Sequence, residues 1–114
     1  MVVAVAVFEF HLPSCRGLKE KRSFLRPLKT RLRGDFSVSA AEVAHQDLLQ
    51  RAVLGVAAVG ADREALEPLF EKVLGYVEGY TEEAGAELAS AKREFLVYGN
   101  VGEPGSGFGD SEEE

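Results

Sequence analysis

The chain has 114 residues, of which 46% are hydrophobic and 28% charged, and its net charge is −6. These proportions describe one soluble globular domain and exclude a mainly disordered chain. No apolar run reaches the ~18 residues of a membrane span, and the single cysteine, Cys15, excludes an internal disulfide scaffold and points to a reducing cytosol. Asn, Gln and Met are scarce while Glu and Arg carry the charge, a thermophile-like usage that a GC-rich genome would also produce.

Val2 to Leu12 reads as a strand. No basic residue precedes it, and Glu9 and His11 interrupt it, so it is not a signal peptide. Val3, Val5 and Val7 fall on one face, and Ala4, Ala6, Phe8 and Phe10 on the other, as in a central strand covered on both sides. Pro13 to Gly17 is a loop. Leu18 to Arg33 follows as a helix, with Leu18, Phe24, Leu25, Leu28 and Leu32 as its core stripe, Pro27 as an internal bend and Gly34 as its stop. Phe36 to Ala44 alternates as a half-buried strand. His45 to Gln50 is a turn, and Arg51 to Val59 is a second doubly apolar strand, so these two strands form a hairpin. Asp62 caps a second helix running to about Tyr80, whose Leu66, Leu69, Phe70, Val73, Leu74, Val77 and Tyr80 recur every three or four residues. Glu82 to Ala86 is a turn and Glu87 to Tyr98 the last strand. Residues 1–98 thus form the domain. Residues 99–114 are a Gly-rich acidic tail of disordered composition, which contact with protein would be needed to order.

The order strand, helix, strand, strand, helix, strand predicts an α+β ferredoxin-like sandwich: a four-stranded antiparallel sheet with two helices on one face. Right-handed crossovers place the first and third strands side by side in the centre, expected to run parallel. Two helices cover one face only, so the doubly apolar strands leave a bare face. Association into a homodimer would cover it, and so would the tail.

Several ordered segments resemble the YlxP-like family of small bacterial proteins: Leu18-Lys19-Glu20-Lys21-Arg22; Phe36-Ser37-Val38-Ser39 with Glu42-Val43; Gln46-Asp47-Leu48 and Gln50-Arg51-Ala52 with Leu54-Gly55-Val56-Ala57; and Arg93-Glu94. The resemblance spans roughly residues 2 to 96. It implies a ferredoxin-like fold, no established reaction, and a setting near translation, because genes of this family lie beside those for translation initiation and ribosome maturation. Leu49 departs from the aromatic expected just before Gln50, and the acidic tail lies outside the pattern.

The most distinctive chemistry is charge. From Arg16 to Arg33 there are eight Lys and Arg against one acid, Glu20, whereas Glu103 to Glu114 holds five acids and no base. Lys19, Arg22, Arg26, Lys29 and Arg33 recur at three and four, which puts them within about 80° of helical arc. Such a line can bind the phosphates of RNA without reading its sequence; a merely solvated helix face is the plainer alternative. The acidic tail is a second candidate ligand for it.

A second group, Glu42, His45, Asp47, Gln50 and Arg51, sits in the hairpin, where an Asp47–Arg51 ion pair fixing the turn is the expected role. His11 and Cys15 flank Pro13 without a third residue to orient a base, and a packed cysteine is the ordinary outcome. Gly105 to Gly109 matches a phosphate loop only superficially, because no strand precedes it and no helix follows. The sheet aromatics lack the pattern that stacks RNA bases. The sequence therefore points to a non-enzymatic cytosolic protein with no metal and no cofactor, which binds RNA or a ribosome-associated assembly. A protein–protein adaptor is the alternative, and a small-molecule or enzymatic domain a more distant one.

Overall fold

The computed structural model describes residues 1–99. In chain order it contains β1 (Val2–His11), α1 (Leu18–Asp35), β2 (Ser39–Ala44), β3 (Arg51–Gly60), α2 (Arg63–Glu83) and β4 (Glu87–Val97). The acidic tail, including the Gly105–Gly109 segment, lies outside the described residues apart from Gly99. The strands form one sheet in the order β2-β3-β1-β4, with every neighbouring pair antiparallel. This is the ferredoxin-like α+β sandwich. β1 and β3 are central neighbours as expected, but they run antiparallel, with Val2 opposite Gly60 and His11 opposite Arg51. The α1 crossover brings β2 back parallel to β1, and the hairpin then reverses the chain, so β3 must run against β1.

Alternation along β1 decides the layering. Ala4, Ala6, Phe8 and Phe10 are buried and join Leu25, Leu28 and Leu32 of α1 and Leu66, Phe70, Val73 and Val77 of α2 in one core. Val3, Val5 and Val7 point to the other face, which no described element covers. In β4 an extra residue breaks the alternation: Glu9 pairs with Ser90, but Phe10 pairs with Leu88. This bulge puts Leu88 on the same face as Phe95 despite their different parity, and Leu96 on the open face. A similar register shift after Glu42 in β2 lays Val43 across Gly55. A Cβ on Gly55 would stand 3.0 Å from Val43 Cγ1, so a side chain there would push the Val43 methyl aside by a few tenths of an ångström.

The helices depart from expectation at their ends. Leu18 is exposed, and Lys21 takes its place in the buried stripe. Gly34 does not stop α1, which continues to Asp35, and the Phe36 N–H closes the last turn on the Leu32 carbonyl. Phe36 therefore caps a helix rather than opening β2, and its ring packs against Tyr76 at a centroid distance of 5.6 Å. Pro27 lies inside α1 with its ring exposed. In α2 the expected cap is present: Asp62 Oδ1 accepts from the Ala65 N–H at 2.9 Å.

Candidate anion-binding ridge

At ~100° per residue, Lys21, Leu25, Leu28 and Leu32 occupy about 60° of arc facing the sheet. Phe24 and Arg31 lie to one side, against α2: Phe24 meets the Tyr80 ring at 5.4 Å, and the Arg31 guanidinium stands 5.5 Å from the Tyr76 ring centroid. Lys19, Arg22, Arg26, Lys29 and Arg33 occupy the opposite flank, pointing away from α2. Lys19, Arg22, Arg26 and Arg33 are exposed and Lys29 is half-buried.

The ridge is not neutralised from within the described residues. The two acids of α1 are committed elsewhere. Glu20 Oε1 accepts from the Arg16 backbone N–H at 2.5 Å, and Asp35 pairs with Arg31 at 2.6 Å. The side chains of Lys19, Arg22, Arg26 and Lys29 make no hydrogen bond or ion pair among the described residues. Arg33 alone is engaged, donating through Nε and Nη2 to the Ala40 carbonyl on edge strand β2, at 3.1 and 2.6 Å. That contact holds its guanidinium but leaves its charge unpaired. α2 is the converse. It carries Glu64, Glu67, Glu71, Glu78, Glu82 and Glu83 against Arg63 and Lys72, so the helix layer has one cationic and one acidic half.

Lys21 belongs to the same basic run but has a different role. Only 3% exposed, it reaches the β2–β3 turn. Its Nζ donates to the carbonyls of His45 at 2.7 Å and Leu48 at 2.5 Å, and stands 3.0 Å from Glu42 Oε2. Two carbonyls thus accept from the ammonium and the Glu42 carboxylate balances its charge, which is what makes its burial tolerable. The His45 whose carbonyl it holds has a φ of 59°, in the left-handed region. In the sequence the charge of Lys21 figures only in the local total of the Arg16–Arg33 run. Its helical angle, central to Leu25, Leu28 and Leu32, is the signal that places it inside.

The hairpin polar group does not converge. Glu42 turns inward to Lys21. Gln50 Nε2 donates to the Cys15 carbonyl at 3.4 Å. The expected Asp47–Arg51 pair is not formed: Arg51 reaches Glu9 on neighbouring β1 at 3.5 Å, and Asp47 is exposed without an ion pair among the described residues. The short turn holds Asp47 away from the strand pair, whereas Glu9 shares the open sheet face with Arg51. His11 and Cys15 also go separate ways. His11 Nδ1 lies 3.2 Å from Glu87 Oε1, and the buried Cys15 thiol points to the Gly17 carbonyl at 3.4 Å. Among the described residues, no three His, Cys, Asp or Glu side chains come together to hold a metal ion.

An open cleft of about 380 Å³ lies between the start of α1 and the end of α2, lined by Leu12, Cys15, Glu20, Phe24, Tyr80 and Ala86 among others. Burial, and secondarily neighbouring Tyr76, raise the Tyr80 phenol above its usual pKa. It stays protonated at neutral pH and donates to the Phe24 carbonyl at 2.6 Å, tying α2 to α1. No described helix is long and apolar enough to cross a membrane.

Comparison with known proteins agrees with this architecture. The chain is 38% identical over 65 residues to the uncharacterized protein YlxP of Bacillus subtilis (strain 168), covering 57% of this chain and 71% of that protein. Among solved structures it is similar to a C-terminal segment of the alpha subunit of aIF2 from Pyrococcus abyssi, with a TM-score of 0.51 and 20% identity, covering 80% of this chain and 48% of that one. It also resembles a dimeric ferredoxin-like protein from an uncultured marine organism, with a TM-score of 0.51 and 12% identity, covering 86% of this chain and 98% of that one. At these identities the two structures show the fold alone. Residues 3–92 match the family described as protein of unknown function (DUF503), and the chain belongs to that family.

Proposed function

We propose that the protein is a non-catalytic cytosolic binder of RNA, working on a ribosome-associated assembly and self-associating. The observation that carries this reading is the line Lys19, Arg22, Arg26 and Lys29, four cations on one helix flank with no carboxylate partner among the described residues. Spacing of this kind follows a phosphate backbone and gives affinity without base readout. The aromatics of β1 and β4 argue for the helix over the sheet. Phe8, Phe10 and Phe95 all face the helices, where they cannot stack on bases. Self-association is supported by the bare apolar sheet face, and the same fold occurs in a protein described as dimeric.

The test is retention of a labelled structured RNA. With four phosphate contacts, affinity should fall roughly 50- to 150-fold between about 50 and 200 mM salt. Replacing Arg22, Arg26 and Lys29 together with Glu should abolish retention while leaving the circular dichroism spectrum unchanged. Retention that survives the triple replacement sinks the reading.

A further inference from the structure

We infer that the open face of the sheet seats a second copy of this chain, stacked sheet on sheet about a two-fold axis that crosses β4 at Arg93. The inference rests on the reading that the chain self-associates, and not on RNA binding.

The open face is apolar. Val3, Val5 and Val7 of β1, Ala57 and Val59 of β3, and Leu96 of β4 are side by side in the register. Val7 is 41% exposed, Leu96 48% and Val59 66%. Contiguous apolar patches of more than a few hundred Å² are uncommon on soluble monomers. Strands of 10, 6, 10 and 11 residues at ~3.3 Å per residue, spaced ~4.8 Å apart, present about 600 Å². Two such faces bury about 1,200 Å², where stable specific interfaces begin.

Charge chooses the occupant. Lys92 pairs in register with Val7, and Glu94 with Val5, so both lie on the open face at its β4 rim. Neither has an ion pair among the described residues. A two-fold axis passing at Arg93 exchanges these two positions and sets each Lys92 against the Glu94 of the other copy. Arg93 is opposite Ala6, and Ala6 is opposite Val56. The same axis therefore crosses β1 between Val5 and Val7, and β3 between Gly55 and Ala57, along the middle of the apolar strip. A face that carries its own complement of charge about its own centre suits an isologous contact. The strands of the two sheets then run within about 30° of one another, as aligned sheets do.

The experiment is sedimentation equilibrium of the full chain at micromolar concentration, with circular dichroism as a check on folding. The wild type is expected to be a dimer. Lys92→Glu and Glu94→Lys should each weaken it by about tenfold or more, because each sets like charges together, and the double exchange should restore it to within about threefold. Val7→Lys, at the centre of the face, should give a folded monomer. A monomeric wild type overturns both this inference and the self-association reading, leaving the face to another segment or another protein. A dimer indifferent to all these changes overturns the inference alone, since the contact then lies on another surface. Single changes that weaken the dimer without rescue by the double overturn the position of the axis.

Discussion

Replacing Lys21 with Met keeps the length and the helix propensity but removes the ammonium. The His45 and Leu48 carbonyls lose their donor, and Glu42 loses its ion-pair partner, its buried Oε2 having no hydrogen-bond partner among the described residues. Lys21 is 3% exposed and the Glu42 side chain 18%, so water does not readily replace what is lost. Breaking a buried pair by removing one partner typically costs ~3–5 kcal/mol. Two carbonyls left without a donor push the cost toward the upper end. With a urea m-value of about 1.5 kcal/mol/M, a loss of ~4.5 kcal/mol moves the unfolding midpoint down by about 3 M. The control is Lys21→Met combined with Glu42→Leu. It removes the stranded carboxylate, so the double variant should be less destabilised than the sum of the two singles by ~1–3 kcal/mol. The helix propensities of Met and Lys are close, so helix formation itself does not account for the effect. A midpoint shift of less than about 0.5 M, or strictly additive singles, would refute the view that the ammonium locks the turn to α1.

Two further outcomes follow from α1 and its neighbour. Tyr80 is held above its usual pKa near 10, so the folded state keeps the phenolic proton more tightly than the unfolded chain. That increment of stability is complete below the unfolded value and is lost as pH rises through the higher folded one. Tyr80→Phe should cost ~1 kcal/mol at neutral pH, and its melting temperature should fall less between about pH 9 and pH 11 than that of the wild type; parallel curves would contradict the burial argument. Pro27 denies the Ser23 carbonyl a donor inside α1, and its ring is exposed rather than packed. Pro27→Ala should therefore raise stability by ~1–3 kcal/mol in thermal unfolding, and a lower melting temperature would show that the proline serves the packing.

Element types and order were legible in the sequence because periodicity reports burial, and burial here is simple: one core, one sheet, two amphipathic helices. The ridge on α1 was legible for the same reason, since three- and four-residue spacing fixes a helix face whatever surrounds it. Other features depended on contacts distant in sequence. Lys21 finds its acceptors more than twenty residues away in a turn, so composition counts it as one more surface charge. The β4 bulge inserts a residue where β1 has none, and parity arithmetic then assigns Leu88 to the wrong neighbours. Arg51 chose Glu9 across the sheet over Asp47 nearby in sequence, because strand pairing brings β1 and β3 together while the turn carries Asp47 outward. The antiparallel run of β1 and β3 was implicit in the order of elements, but it appears only when each reversal of the chain is followed through.

With cations along the outer flank of α1 and six glutamates on α2, the described residues carry a transverse electric dipole although the net charge of the chain is −6. In the field of a polyanion it turns before it arrives, presenting α1 and withdrawing α2, so correct orientation is favoured during diffusion rather than sought by trial collisions. Added salt shortens the range of that torque, and encounter rates then fall together with affinity.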